Sequence, residues 1–484
     1  MSAYDVAIVN GMLALPGGAV PSGVGIREGR IVALGDDLAA RDADDVVDAE
    51  GHLVLPGGVD PHFHLGIYRN ISEDTRSETL SSLVGGVTSV ISYFHTGHHY
   101  LDQSGPYETI FPQVLDATAG HSSVDFGYHL APMLRSQIGE IPALVEQHGV
   151  TSFKYYMFYK GLDLAGASLD AQSYTMAEHY DLGHLYEIME AVVACRGDHS
   201  GGSRVSVSIH CEQPELIRVF MERVQADGLL EGLAAYSAAR PPLTEHLAIA
   251  EVGVLAGATM APINLLHLSS AEALEAALEL RRQLPGLDVR LETTLHHLAL
   301  THETYTDQRG KVNPPIRSAA DRERLWQGIL AGELDWVCSD HACCSESHKE
   351  GDLWKALPGF GGTALLYPFM LTEGLRRGLT LERIVELCAT SAARAYGLYP
   401  RKGEIRLGAD ADFAIVDLDT SKAVTPELLL SAQEYTPFEG MELRGWPVRT
   451  ILRGRTVYAD GSPIGEPAGE FLARPLATGS LAAA

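Results

Sequence analysis

The sequence predicts an α/β protein: a (β/α)8 barrel over residues 56–400, joined to a small β-sandwich domain assembled from residues 1–55 and 401–465. Three observations lead there. Eight apolar strand candidates recur through the middle of the chain, helical segments lie between most of them, and short Gly-punctuated β runs occupy both ends. An open doubly wound sheet is the competing architecture, but no Gly-rich nucleotide fingerprint follows an early strand.

The N-terminal β runs fall at 6–9, 25–26, 30–34 and 52–55, with turns at Glu28-Gly29 and Pro16-Gly-Gly18 between them. Their counterparts lie at 403–417 and 450–458. Two β-rich ends around a different middle suggest one sheet domain built from both. In the middle, one strand candidate carries His62; the others cover 87–94, 124–130, 150–157, 204–210, 263–268, 288–293 and 335–340. Helical patterns span Leu182–Ala194, Ala271–Gln283 and 320–331. Residues 466–484, rich in Ala, Gly and Pro without amphipathic period, are expected to form an extended, loosely held tail.

The chain has 484 residues and a formal charge of −27, which disfavours non-specific binding to nucleic acid or to an anionic membrane. No apolar run reaches membrane-spanning length, and no basic flank precedes an apolar run after Met1-Ser-Ala-Tyr-Asp5. The expectation is a cytoplasmic protein. Its 6 cysteines show no CxxC spacing and read as reduced, partly buried thiols.

The most informative stretch is Leu55-Pro-Gly-Gly-Val-Asp-Pro-His-Phe-His-Leu-Gly66. On a strand, residues i and i+2 share a face, so His62 and His64 point the same way and offer one cation two nitrogen ligands. Later strands add Lys154, His210, His267 and Asp340. In a barrel these six converge at one rim, forming a cavity suited to divalent transition metals, zinc first. An ammonium repels cations, but carbamylation of Lys154 by CO2 makes an anionic group able to bridge two ions. Such a pair holds a shared hydroxide and polarises a carbonyl. Asp340 then carries the proton to the leaving nitrogen, and Tyr159 donates to the developing oxyanion. Each residue alone has a plainer reading: core histidine, snorkelling lysine, helix cap, packed aromatic. Their common position at strand ends outweighs these.

The residues match a known family. The chain resembles the cyclic amidohydrolases (dihydropyrimidinases, hydantoinases, allantoinases and dihydroorotases) over nearly its whole length. Pro56-Gly-Gly-Val-Asp-Pro-His-Phe-His64 is similar to the family's first-strand metal motif, and Phe153-Lys-Tyr-Tyr-Met-Phe-Tyr-Lys160 to its carboxylated-lysine segment. His210-Cys-Glu212, His267-Leu-Ser-Ser270, Ser339-Asp-His341 and the Gly403-to-Asp412 element complete the likeness. The resemblance implies His62, His64 and Asp340 on one zinc, His210 and His267 on the other, N6-carboxylated Lys154 between them, and a homotetramer.

Departures bear on substrate. Leu65 and Gly66 stand where dihydroorotases carry an arginine, which argues against dihydroorotate. Asn313, in Lys311-Val-Asn-Pro-Pro-Ile-Arg317, takes the place of a hydantoinase serine and is the candidate substrate contact with Tyr159. Pro358-Gly-Phe-Gly-Gly362 replaces a Gly-rich stretch whose Asn contacts the ring. His95, His98 and His99 in the loop after strand two are candidates to line a pocket for a planar ring, or simply pack on the surface. His296 and His297 are expected to support the site from behind, and Cys343 and Cys344 to be structural.

The reading is a binuclear metal-dependent hydrolase that opens a cyclic amide or imide C–N bond of a small molecule. The alternatives are the same site acting on an acyclic amide, carbamate or thiocarbamate, and a non-catalytic scaffold.

Overall fold

The computed structural model describes residues 2–35, 38, 42–159, 180–195, 204–474 and 476. Five strands precede the barrel: β1 (Tyr4–Leu15), β2 (Gly18–Arg27), β3 (Arg30–Gly35), β4 (Ala43–Asp48) and β5 (Leu53–Pro56). Eight parallel strands follow: β6 (Gly58–Phe63), β7 (Val87–His95), β8 (Asp125–Ala131), β9 (Ser152–Tyr156), β10 (Ser206–His210), β11 (Ile263–Leu265), β12 (Val289–Thr294) and β13 (Trp336–Cys338). They pair in sequence order, as right-handed βα crossovers dictate. All but β12, where Arg290 is exposed, are buried along their whole length, by side chains inside and helices outside. The helices Leu182–Ala194 and Ala271–Gln283 fall where the 3.6-residue period places them.

The seam between β13 and β6 closes by backbone pairing just past both strands. His64 N–H donates to His341 O at 2.9 Å and His341 N–H to His62 O at 3.3 Å. Buried Asp60 fastens the seam, accepting from Ser339 N–H at 3.1 Å and Ser339 Oγ–H at 2.5 Å.

After the barrel come β14 (Phe413–Ala423), β15 (Glu442–Leu452), β16 (Arg455–Ala459) and β17 (Ser462–Pro463). They join β1–β5 in one sheet of order β17-β16-β15-β14-β5-β1-β2-β3, with β4 parallel to β1. β5 against β14 is the junction of the two chain ends, Leu55 opposite Ala414. The sheet wraps a small core of its own: Ile8, Val24, Ile26, Val54, Phe413, Ile415 and Ile451. Sheet and barrel meet at Lys402. Its buried ammonium lies 2.6 Å from Asp125 at the start of β8, and 2.6 and 2.8 Å from Asp412 and Asp410 leading into β14.

Residues 469–474 depart from the expectation of a loose tail. Leu472 is fully buried, and its N–H donates to Phe126 O at 2.7 Å near the N-terminal end of β8. Arg474 is 1% exposed; its N–H donates to Gly149 O at 2.9 Å and its guanidinium to Ser152 Oγ at 2.8 Å and to Tyr128 O. An extended segment needs no period, only one anchor and free backbone partners, so its docking leaves no pattern in composition.

Candidate metal centre

His62 lies on β6 with His64 one residue beyond it, Lys154 is central in β9, and His210 ends β10. His267 and Asp340 sit two residues past β11 and β13. All six are buried at the same end of the barrel. The backbone turns left-handed at His267 (φ 37°) and Asp340 (φ 51°), strain that persists only where surrounding structure over-determines it.

Two subgroups form. Asp340 Oδ1 lies 3.0 Å from His62 Nε2 and 3.3 Å from His64 Nε2, and the three ligand atoms lie within 4.8 Å of one another. His210 and His267 have ring centroids 4.3 Å apart, and His267 is 5.4 Å from His62. Lys154 Nζ rests 4.2 Å from the Tyr93 ring centre and 4.7 Å from that of Tyr156. Among the described residues no carboxylate lies within ion-pair distance of it. Burial presses its amine down to about 7 despite the Asp340 and Glu292 carboxylates.

The residues fit a divalent metal. Both ring nitrogens of His267 are buried with no hydrogen-bond partner among the described residues, a costly state that an ion relieves. Two imidazoles and a carboxylate on one side, two imidazoles on the other, make an N/O donor set of the zinc type. Three of the four imidazoles also have the neutral form that ligation needs. Burial holds His64 and His210 near 4 and His267 well below its ordinary value, so these imidazoles are neutral at pH 7. Burial also opposes charge on His62, but the Asp340 and Glu292 carboxylates win and raise it to about 9. His62 and His64 in turn keep Asp340 ionised against its own burial.

Several residues holding this group were not singled out from sequence. Glu292, on β12, accepts from His62 Nδ1–H at 2.7 Å and from His267 N–H at 3.1 Å through Oε1, and from Trp336 Nε1–H at 2.7 Å through Oε2. Glu212 accepts from His210 Nε2–H at 2.6 Å and takes both arms of Arg240 at 2.9 and 2.6 Å. Tyr100 brings its hydroxyl to 3.1 Å from His64 Nδ1. An acid inside an apolar strand, as in Leu291-Glu-Thr-Thr294, was the one available signal for Glu292, since such groups are buried only when paired.

The remaining candidates separate. Tyr159 ends the turn Met157–Tyr159, and its side chain, like Lys160, lies outside the described residues. Asn313 is half-buried and its Oδ1 accepts from Tyr236 OH at 2.6 Å. His95 is buried beside Tyr100 and pressed to about 3 by burial, whereas His98 faces Asp102 at 3.2 Å. His99 meets Tyr68 edge-on at 5.6 Å. His297 contacts Thr294 Oγ1 and Pro314 O, and His296 stacks edge-on with Phe360 at 5.2 Å.

The chain belongs to the amidohydrolase family, whose model matches residues 203–457. It is 32% identical over 478 residues to an allantoinase of Deinococcus radiodurans, covering 97% of this chain and 98% of that protein. It is 30% identical over 491 residues to an L-hydantoinase of Paenarthrobacter aurescens, covering 97% and 98%. A crystal structure of D-hydantoinase superposes with a TM-score of 0.85 at 27% identity, over 97% of this chain and 98% of that one. The superposition takes in both the barrel and the terminal sheet described above.

Proposed function

We propose that this protein hydrolyses a cyclic amide or imide of the hydantoin or dihydropyrimidine type, giving the ring-opened N-carbamoyl or amic acid. The observation that carries the reading is the buried convergence of His62, His64, His210, His267, Lys154 and Asp340, with both His267 nitrogens lacking any partner among the described residues. Relatives over nearly the whole chain bearing the names hydantoinase and allantoinase support the substrate class.

His62, His64 and Asp340 would hold one divalent ion, zinc by donor type, and His210 and His267 a second, with Lys154 as its CO2 adduct between them. Bound there, the ions supply an activated water and a polarised carbonyl. The chain's own groups do the rest. In net terms water adds across the C–N bond: its oxygen goes to the carbonyl carbon, and a proton passes through the Asp340 carboxylate to the departing ring nitrogen. Tyr159 donates to the oxygen that gains charge, and Asn313 fixes the ring. A cytoplasmic homotetramer completes the proposal.

The test is a ring-opening screen with purified protein on hydantoin, dihydrouracil and allantoin, alongside metal analysis. Turnover of at least one ring, lost on chelation and regained with zinc, cobalt or manganese, is expected. Activity confined to open-chain carbamates, or full activity without metal, overturns it.

A further inference from the structure

The backbone at His267 is held from two sides. On one, Glu292 takes the His267 N–H, and the next N–H, of Leu268, donates to the Glu292 carbonyl at 2.8 Å. On the other, Ser269 gives both its donors to one carboxylate. Its N–H lies 3.2 Å from Glu245 Oε1, and its hydroxyl donates to Glu245 Oε2. Glu245, on the helix Pro242–Thr259, is 2% exposed. Its balancing cation is Arg317, 3% exposed, whose Nη2 lies 2.8 Å from Glu245 Oε2 and whose Nε–H donates to the Ser269 hydroxyl at 2.9 Å. Both members of a buried ion pair thus grip Ser269, and the left-handed turn at His267 falls between that grip and Glu292. Freed of these holds, a histidine would leave that region for the ordinary helical or extended one.

The same arginine reaches the other histidine of the subgroup. Arg317 Nη1 donates to the Arg240 carbonyl, and Arg240 gives both arms to Glu212, which accepts from His210 at 2.6 Å. Two buried ion pairs, Glu245–Arg317 and Glu212–Arg240, therefore abut behind His210 and His267. Among the described residues no hydrogen bond or ion pair joins either of them to His62, His64 or Asp340. Those three lean on Glu292, Tyr100 and the Asp60–Ser339 seam instead.

We propose that the Glu245–Arg317 pair is a positioning device for one half of the metal group. It keeps the strained turn that places His267 and steadies His210 through Arg240, so its loss empties that half-site and leaves the ion at His62, His64 and Asp340 in place. The ion count rests on the binuclear reading above; the hold on the His267 backbone does not.

Replacing the pair by apolar residues, Glu245→Leu with Arg317→Met, removes every bond it makes to Ser269 without stranding a buried charge, a change that folded proteins commonly tolerate. Crystals of this variant grown without metal read the backbone: φ at His267 is expected to turn negative, and a value still near 37° overturns the proposal. Zinc anomalous density from crystals of the loaded variant reads the two half-sites apart. The expected result is zinc at His62, His64 and Asp340 with the His210 and His267 half-site empty, and one ion per chain by atomic absorption where the wild type binds two. Two filled sites, or loss of both ions, refutes the selectivity. Should the double variant not fold, Arg317→Lys keeps a cation beside Glu245 but has no fork to reach Ser269 and the Arg240 carbonyl together. Chelator competition should then show the weaker zinc dissociation constant raised about tenfold and the tighter one within about threefold of wild type. Equal shifts in both constants, or none in either, overturn the proposal. A wild type that binds no zinc, with the His267 backbone moving as expected, overturns only the metal reading.

Discussion

Replacing Glu292 by Gln tests how the metal group is supported. Glu292 Oε1 takes the His62 imidazole N–H at 2.7 Å and the His267 backbone N–H at 3.1 Å, while Oε2 takes the Trp336 indole N–H at 2.7 Å. All three partners donate and a carboxylate has only acceptors, so every bond is satisfied. Glutamine has one acceptor end. With its oxygen toward His62 and His267, its NH2 faces the indole N–H, two donors nose to nose in a dry core. That conflict should cost about 1–3 kcal/mol of stability. Loss of the negative charge behind His62 makes its Nε2 a poorer donor to an ion, and removing such supporting partners lowers metal affinity by about 10–100-fold. Zinc affinity from chelator competition and unfolding midpoints in denaturant measure the two effects separately. Trp336→Phe added to Glu292→Gln removes the donor conflict, so stability should recover in part while zinc affinity stays low. Zinc affinity of the single variant within twofold of wild type would refute the reasoning.

Stripping metal with a chelator should abolish ring opening, and stoichiometric zinc assays on the reconstituted protein should approach two ions per chain; a plateau well below one counts against the site. Burial presses the Lys154 amine to about 7, and only the neutral amine adds CO2. Recovery of metal-stripped, decarboxylated protein at fixed dissolved CO2 should therefore accelerate from pH 6 to 8 and level off above, whereas a rise continuing to pH 10 would mean an ordinary lysine. Lys402→Met leaves Asp125, Asp410 and Asp412 facing one another without their shared cation, at an expected loss of about 3–5 kcal/mol in chemical denaturation; a loss under about 1 kcal/mol would show that the arginines nearby suffice.

The barrel was legible because strand and helix periods are local properties. His62 and His64 declared themselves by sitting two apart in an apolar run, His210, His267 and Asp340 by falling at the ends of comparable runs, and Lys154 as a cation inside one. What stayed hidden depends on contacts between distant segments. Glu212 and Arg240 are 28 positions apart, Tyr236 and Asn313 77, and no spacing rule joins them. Tyr100 sat in plain view among three histidines, yet only the fold shows that it, rather than they, reaches His64. The docked segment around Leu472 escaped notice because pairing with Phe126 uses backbone groups common to every residue.

The pairing of β5 with β14 has a consequence for biosynthesis. Strands near the start of the chain are completed early, but the partner for the open side of Leu53–Pro56 is made well over three hundred residues later. At ribosomal speeds of roughly 5–20 residues per second, that edge stands unpaired for tens of seconds. A nascent chain with an exposed apolar strand for so long is a natural client for chaperones, and slowing translation late in the message should lower the soluble yield more than slowing it early.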